Sequence, residues 1–173
     1  MKIIAFEGPD LSGKSSLIQT LSNVTGLPVA KKNLFKFDNE EEHHKFIDLK
    51  AEIEYNYFLA HKHLFTSFIA DRFIVSNIVY ARFYKRNYDY SYMKQEDLSD
   101  IDVRFIFVSL NDEKIIEQRL RQRGDFLDLN VTKIVGLREE YERVFKEFEF
   151  SHLKLDGAKR IDDNINLILD YIK

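Results

Sequence analysis

The chain has no cysteine among its 173 residues, which excludes disulfides and thiolate metal sites and fits a reducing compartment. It also lacks tryptophan, and it carries only two prolines and six glycines. Two of those glycines fall in one short motif, so little remains for long flexible linkers. No apolar run approaches the ~18 residues needed to span a bilayer. Ile3-Ile4-Ala5-Phe6 is too short for a signal peptide and runs into Glu7; the expected location is the cytoplasm, with no membrane partner. A charge excess is missing as well. The 26 Lys and Arg nearly balance 29 Asp and Glu, a net charge of −3, which argues against coating nucleic acid or anionic lipid by bulk electrostatics. There is no internal repeat, low-complexity segment or domain boundary, and 1–173 reads as a single domain.

What is present is a pattern of alternating strands and helices. Lys2 to Glu7 is a short apolar run suited to a buried parallel strand. Leu17, Leu21 and Val24 follow at helical spacing, Gly26-Leu27-Pro28 breaks the helix, and Val29-Ala30 starts a second strand. Residues 31–39 read as a loop bearing Lys31, Lys32 and Lys36. Glu40-Glu41-Glu42 places acids where a long helix to about Leu64 begins. Phe46, Leu49, Ile53, Tyr57 and Leu64 fall roughly on one stripe of that helix. Further strands are expected over 65–71, 102–110 and 153–156, with helices over 74–84, 112–123, on to about Glu149, and 162–172. Five strands alternating with helices predict an α/β fold, a parallel sheet wrapped on both faces.

Gly8-Pro9-Asp10-Leu11-Ser12-Gly13-Lys14-Ser15 fits G-x-x-x-x-G-K-[ST] and lies between the first strand and the first helix, the setting in which that pattern cradles phosphate. Gly8 and Gly13 let the backbone curl so that the N–H groups of Asp10, Leu11, Ser12 and their neighbours point at phosphate oxygens. The helix beginning at Lys14-Ser15-Ser16 adds its positive end. Lys14 is expected to reach the β- and γ-phosphates and Ser15 to ligate Mg²⁺. A nucleoside triphosphate, with Mg²⁺, is the expected ligand.

The rest of the chain narrows the chemistry. The D-x-x-G and N/T-K-x-D patterns of a GTPase are absent. Asp71, ending the third strand, is the second expected Mg²⁺ ligand. It is followed by Arg72 rather than by an acid that would polarise water, which suits gripping a second anion. Gln118-Arg119-Leu120-Arg121-Gln122-Arg123-Gly124 places Arg119 and Arg123 four apart on one helix face beside a glycine hinge. This reads as a short arginine-bearing lid, about 112–130, that closes over a triphosphate. A solvated face paired with Glu113 and Glu117 is the alternative. The histidines at 43, 44, 61 and 63 are spaced so that neighbours face different directions, and no metal site is expected from them.

These residues carry a family resemblance. Phe6-Glu7-Gly8-x-Asp10 ending in Gly13-Lys14-Ser15-Ser16 resembles the phosphate loop of thymidylate kinases. Asp71-Arg72-Phe73-Ile74-Val75-Ser76 through Tyr80 resembles that family's D-R-Y-x-x-S-x-x-A-Y segment. Arg119-x-Arg121-x-Arg123-Gly124 is similar to its lid, and Leu137-Arg138-Glu139-Glu140-Tyr141 matches its following helix. Deoxynucleoside kinases share the layout. The resemblance implies a P-loop kinase fold and ATP-dependent phosphorylation of a (deoxy)pyrimidine monophosphate. Asp10 would hold the sugar 3′-hydroxyl and Arg72 the acceptor phosphate. Phe58 would stack on the base, Lys62 would stand where the family has Arg, and Ser76 and Tyr80 would line the base pocket. Lys14, Asp71, Arg72, Arg119 and Arg123 would be catalytic. The long helices would suit a homodimer. Lys31-Lys32-Asn33 replaces the family's R-E-P-G-G, and Ala81 replaces an amide that reads the base.

Two other acceptors stay open. A nucleoside 5′-hydroxyl needs a carboxylate base, and Asp38 is the only candidate near the second strand. A nucleotide within DNA would use the aromatic and basic residues of 80–94, although a helix end and loop whose tyrosines cover the core is the preferred reading of that segment.

Overall fold

The computed structural model describes residues 1–31, 40–64, 66–87, 89–90, 93, 98–123 and 129–173, except the side chains of 31, 40, 41, 43 and 44. Asp38, Gly124 and part of the 80–94 segment lie outside the described residues. So do Lys32, Asn33 and Lys36. Five strands form one parallel sheet: β1 (Lys2–Glu7), β2 (Val29–Lys31), β3 (Phe68–Asp71), β4 (Asp102–Ser109) and β5 (His152–Asp156). Their order is β2-β3-β1-β4-β5. The helices are α1 (Lys14–Thr25), α2 (Glu40–His61), α3 (Ile74–Phe83), α4 (Glu113–Arg123), α5 (Val131–Glu147) and α6 (Ile161–Tyr171).

Strand alternation divides the core into two layers. On β1, Ile3 and Ala5 face one side while Ile4 and Phe6 face the other, all fully buried. On β4, Phe105 and Phe107 join the first side and Ile106 and Val108 the second. The first layer is closed by α2, α3 and α5. Phe107 packs there against Tyr141 and Phe145 with ring centroids 5.6 and 5.4 Å apart. The second is closed by α1 and α6 through Leu17, Leu21, Ile165 and Ile168. A third, smaller cluster, Leu110, Ile116 and Ile134, ties α4 and α5 to the end of β4 and takes in the side chain of Leu11.

Several expectations need correction. Strand β3 starts at Phe68 rather than 65; Thr66 and Ser67 precede it, and 65 lies outside the described residues. The α-helix α2 ends at His61, and Lys62–Leu64 form a 3₁₀ turn. The stripe Phe46, Leu49, Ile53, Tyr57 and Leu64 is exposed, from 36% to 68%. The buried face of α2 is Ala51, Tyr55 and Phe58. Apolar residues lie on both faces of this helix, so spacing alone marks two candidate faces and packing selects one.

Candidate active site

All five strands run in one direction, so their carboxyl ends open on one edge of the sheet, where parallel α/β folds place their ligand crevice. A cleft of about 1160 Å³ lies there. It is lined by the phosphate loop from Asp10 through Ser16, by Asp71 and Arg72 after β3, and by Ser76, Asn77, Tyr80 and Tyr84 of α3 and its end. Arg119, Gln122 and Arg123 of α4, Lys133 of α5 and the β5–α6 loop Gly157-Ala158-Lys159 complete it. Seven basic side chains, namely Lys14, Arg72, Arg86, Arg119, Arg123, Lys133 and Lys159, share this lining with two carboxylates, Asp10 and Asp71, although Arg86 is already paired with Asp48 at 2.7 Å. In a chain of net charge −3, that concentration makes the cleft a trap for anions.

The loop owes its shape to close approaches. Gly8 has φ 136°, and a Cβ there would meet the Val108 carbonyl oxygen at 2.1 Å; only glycine fits. Leu11 is held left-handed, φ 63°, although it has a side chain. A Cβ on Gly157 would lie 1.7 Å from the Ser12 oxygen, so the β5–α6 loop touches the phosphate loop directly. Gly13 caps α1 with no side-chain bond to the first turn, leaving those N–H groups as the anion-facing donors of a helix start.

Lys14 is buried and donates to the carbonyls of Gly8 at 2.8 Å and Pro9 at 2.6 Å, and to Ser12 Oγ at 3.3 Å. Burial, aided by the charge of Arg72, pushes its ammonium down to about 7 against the opposing pull of Asp10, Asp71 and Glu7. Arg72, whose guanidinium shares the Gly8 carbonyl with Lys14, also has a positive φ, 73°. Its Nη1 donates to Gly8 O and Tyr141 Oη, both at 2.8 Å, and its Nη2 to Asp10 at 3.0 Å. Tyr80 Oη donates to the other Asp10 oxygen at 3.2 Å, and the guanidinium lies 4.9 Å from the Tyr80 ring centre. Burial works to raise the Asp10 carboxyl, but Arg72 and Lys14 outweigh it and hold it below the ordinary carboxylate value. Burial raises the Tyr80 hydroxyl well above its usual range.

The structure brings together Gly8, Asp10, Leu11, Ser12, Gly13, Lys14, Ser15, Ser16, Asp71, Arg72, Ser76, Tyr80, Arg119 and Arg123. It does not bring Phe58 or Lys62 to the cleft. Phe58 is 8% exposed and packs edge-on against Phe68 and Phe73, at 6.5 and 5.9 Å, within the first core layer. Lys62 pairs with Asp100 at 2.6 Å on the surface. Arg119 clamps the phosphate loop to the β5–α6 loop: it donates to Leu11 O at 2.7 Å and Gly157 O at 2.8 Å. Arg121 turns outward to Glu117 at 3.5 Å, while Arg123 is exposed at the cleft mouth. Tyr90 receives Arg82 at 2.8 Å and packs on Phe148, which is the core-covering role for that tyrosine.

Sequence reasoning missed Tyr141, buried 65 or more residues away in sequence from its partners Ser76 and Arg72, and the β5–α6 loop. The loop had a usable signal, since the last strand of a parallel sheet must end at the same edge as the first. Ser15 and Asp71 offer a hydroxyl and a carboxylate on one wall, hard oxygen donors that fit Mg²⁺. Among the described residues no group of three or more His, Asp or Glu is placed to hold a metal, and no helix is long and apolar enough to cross a membrane.

A parallel sheet of this order, with the glycine loop on its central strand and an arginine-bearing helix at the cleft mouth, is the P-loop kinase fold. Solved structures agree. The crystal structure of YorR from Bacillus subtilis in complex with phosphorylated GDP matches at TM-score 0.64 and 25% identity, over 98% of this chain and 94% of that one. Deoxyadenosine kinase from M. mycoides with products dCMP and dCDP matches at TM-score 0.64 and 20% identity, over 98% and 97%. The same enzyme with bound dATP matches at 0.62 and 22%, with the same coverage. No family model matches the chain. In sequence it is 31% identical over 134 residues to YorR, an uncharacterized protein derived from the SPβ prophage of Bacillus subtilis strain 168, covering 72% of this chain and 71% of YorR. The chain belongs to the YorR family.

Proposed function

We propose that this protein transfers the γ-phosphoryl group of ATP to the 5′-phosphate of a deoxynucleoside monophosphate. The observation that carries the reading is Arg72, held beside Lys14 on the shared Gly8 carbonyl and on Asp10, in a pocket whose basic side chains outnumber its carboxylates seven to two. The volume, about 1160 Å³, exceeds the roughly 300–1,000 Å³ of a pocket for one small ligand, which supports two nucleotides end to end. In this reading the loop N–H groups and Lys14 hold the β- and γ-phosphates. Arg119 and Arg123 meet the charge that spreads over the transferred group. Arg72 holds the acceptor phosphate, and Asp10, fixed by Tyr80 and Arg72, accepts the sugar 3′-hydroxyl. Ser15 and Asp71 would hold Mg²⁺, which neutralises phosphate charge when bound. The acceptor oxygen is already anionic, so the residues need only align it against repulsion, with no base required. It bonds to the γ-phosphorus as the bond to the ADP oxygen breaks.

A pyrimidine acceptor is the expectation from the thymidylate kinase resemblance. The phosphorylated GDP in the YorR structure makes guanine the competing base. A second reading, a nucleoside acceptor, is favoured by the deoxyadenosine kinases of the same fold. The test is a panel of dTMP, dCMP, dGMP and dAMP beside the four deoxynucleosides, each with labelled ATP and Mg²⁺. Diphosphate product from a monophosphate supports the proposal; label entering only the nucleosides overturns it. The exposed stripe on α2 further supports self-association, and Ile53→Asp should then shift a dimer to monomer in sedimentation.

A further inference from the structure

Arg72 is gripped from behind by a chain of buried groups, of which Ser76 also reaches the cleft lining while Glu7 and Tyr141 do not. Arg72 Nη1 donates to Tyr141 Oη at 2.8 Å, Tyr141 Oη and Ser76 Oγ are 2.8 Å apart, and Ser76 Oγ bonds to Glu7 Oε2. Glu7 Oε1 accepts from the backbone N–H of Phe73 at 2.9 Å, the residue after Arg72. Glu7, Ser76 and Tyr141 are 0%, 2% and 0% exposed. The chain therefore joins β1, α3 and α5 through buried polar groups alone.

The two ends fix the direction of the hydrogens between them. A guanidinium only donates, and Ser76 spends its one hydroxyl hydrogen on Glu7 Oε2. Tyr141 Oη must receive from Arg72, so its own hydrogen points to Ser76; Ser76 in turn donates to Glu7. Burial holds the Tyr141 hydroxyl above its usual range, so it stays a donor throughout the working pH range. Three of the five N–H groups of Arg72 are thus committed, to Gly8 O, Tyr141 Oη and Asp10. Among the described residues, the remaining Nη2 hydrogen and the Nε–H have no protein partner.

We propose that Tyr141 and Ser76 are positioning residues: their hydroxyls relay the buried Glu7 carboxylate to Arg72, locking its guanidinium plane so that its two remaining donors face the acceptor. The proposal rests on the functional reading above for what the donors meet, but the lock itself is a property of the free protein. A tyrosine that merely filled the core would do the same as phenylalanine, since its ring already packs on Phe107 and Tyr80.

The test compares wild type with Tyr141→Phe and Ser76→Ala in two readouts. The first is arginine side-chain ¹⁵N NMR of the full chain, with the Arg72 signals assigned through Arg72→Lys. Wild type should show separate, slowly exchanging Nη resonances for Arg72, and Tyr141→Phe should merge them by freeing rotation about Nε–Cζ. The second is kinetics. Loss of a hydrogen bond to a charged group should raise the acceptor KM about tenfold, with the ATP KM within about twofold; Ser76→Ala should move the same parameter by less. Separate Arg72 resonances that persist in both variants overturn the proposal, as does an acceptor KM unchanged in both. If wild type phosphorylates nothing in the panel, the functional reading fails while the NMR comparison still decides the lock. Should Tyr141→Phe not fold, Ser76→Ala carries both readouts.

Discussion

Raising the pH from 6 to 8.5 should turn ATP binding from nearly proton-neutral into an event that takes up about one proton. Lys14 in this structure is buried against backbone carbonyls with its ammonium at about 7, while a lysine beside bound phosphates regains a value near or above its ordinary ~10.4. At pH 6 Lys14 is already about nine-tenths charged, so binding adds roughly 0.1 proton; at pH 8.5 it is about 3% charged, and binding adds nearly one. Because binding takes up the proton, affinity must fall as pH rises, by up to tenfold, or about 1.4 kcal/mol, per unit above 7. The sign for folding is the reverse. The unfolded lysine binds its proton up to about 10.4 and the folded one only to about 7, so without added nucleotide stability should rise with pH between these limits. Calorimetric titration of ATP in two buffers of different ionisation enthalpy, from pH 7.5 to 9, measures the uptake, with Lys14→Met as the control. No buffer dependence in the wild type, or the same dependence in Lys14→Met, would refute the reasoning.

Arg119→Ala should lower stability by about 1–3 kcal/mol, because two backbone acceptors lose their donor. Arg123→Ala, exposed in the cleft lining, should change stability by less than about 0.5 kcal/mol and yet cut turnover severely; chemical denaturation beside steady-state kinetics separates the two effects. Gly157→Ala drives a Cβ into the Ser12 carbonyl, and a cost of about 1–3 kcal/mol should come with a raised ATP KM and an unaltered acceptor KM. Phe107→Ala removes the ring between Tyr141 and Phe145 and should cost about 3–5 kcal/mol in the unfolding midpoint analysis.

The architecture was legible because each layer of pattern agreed. The run Ile3-Ile4-Ala5-Phe6 is apolar on both faces, as a central strand needs, and it is followed at once by the glycine loop and by helical spacing from Lys14. The phosphate-loop side of the cleft was legible for the same reason: Lys14, Ser15 and their neighbours are contiguous, and local geometry alone brings them together. The Arg72 side was not. Phe58 sits on a helix with apolar residues on both faces, and whether its ring meets a ligand or Phe73 depends on how α2 rolls on the sheet. Tyr141 reaches Arg72 only because α5 packs across α3, a tertiary event with no local trace. Glu7 stood inside a recognised motif, but its burial and its bond to the Phe73 amide appear only once β1 and β3 are paired.

Leu11 is an odd residue to find at the crest of a phosphate loop, bent into a left-handed turn that costs a side-chain-bearing residue of order 1–3 kcal/mol. Its side chain is pinned in the Leu110, Ile116 and Ile134 cluster and its carbonyl is pinned by Arg119. The ordering that a floppy glycine turn would undergo on meeting a triphosphate has here been completed during folding. Capture of the donor should therefore run close to the speed of encounter, with no slow rearrangement of the crest, and the strain is carried permanently by every copy of the protein.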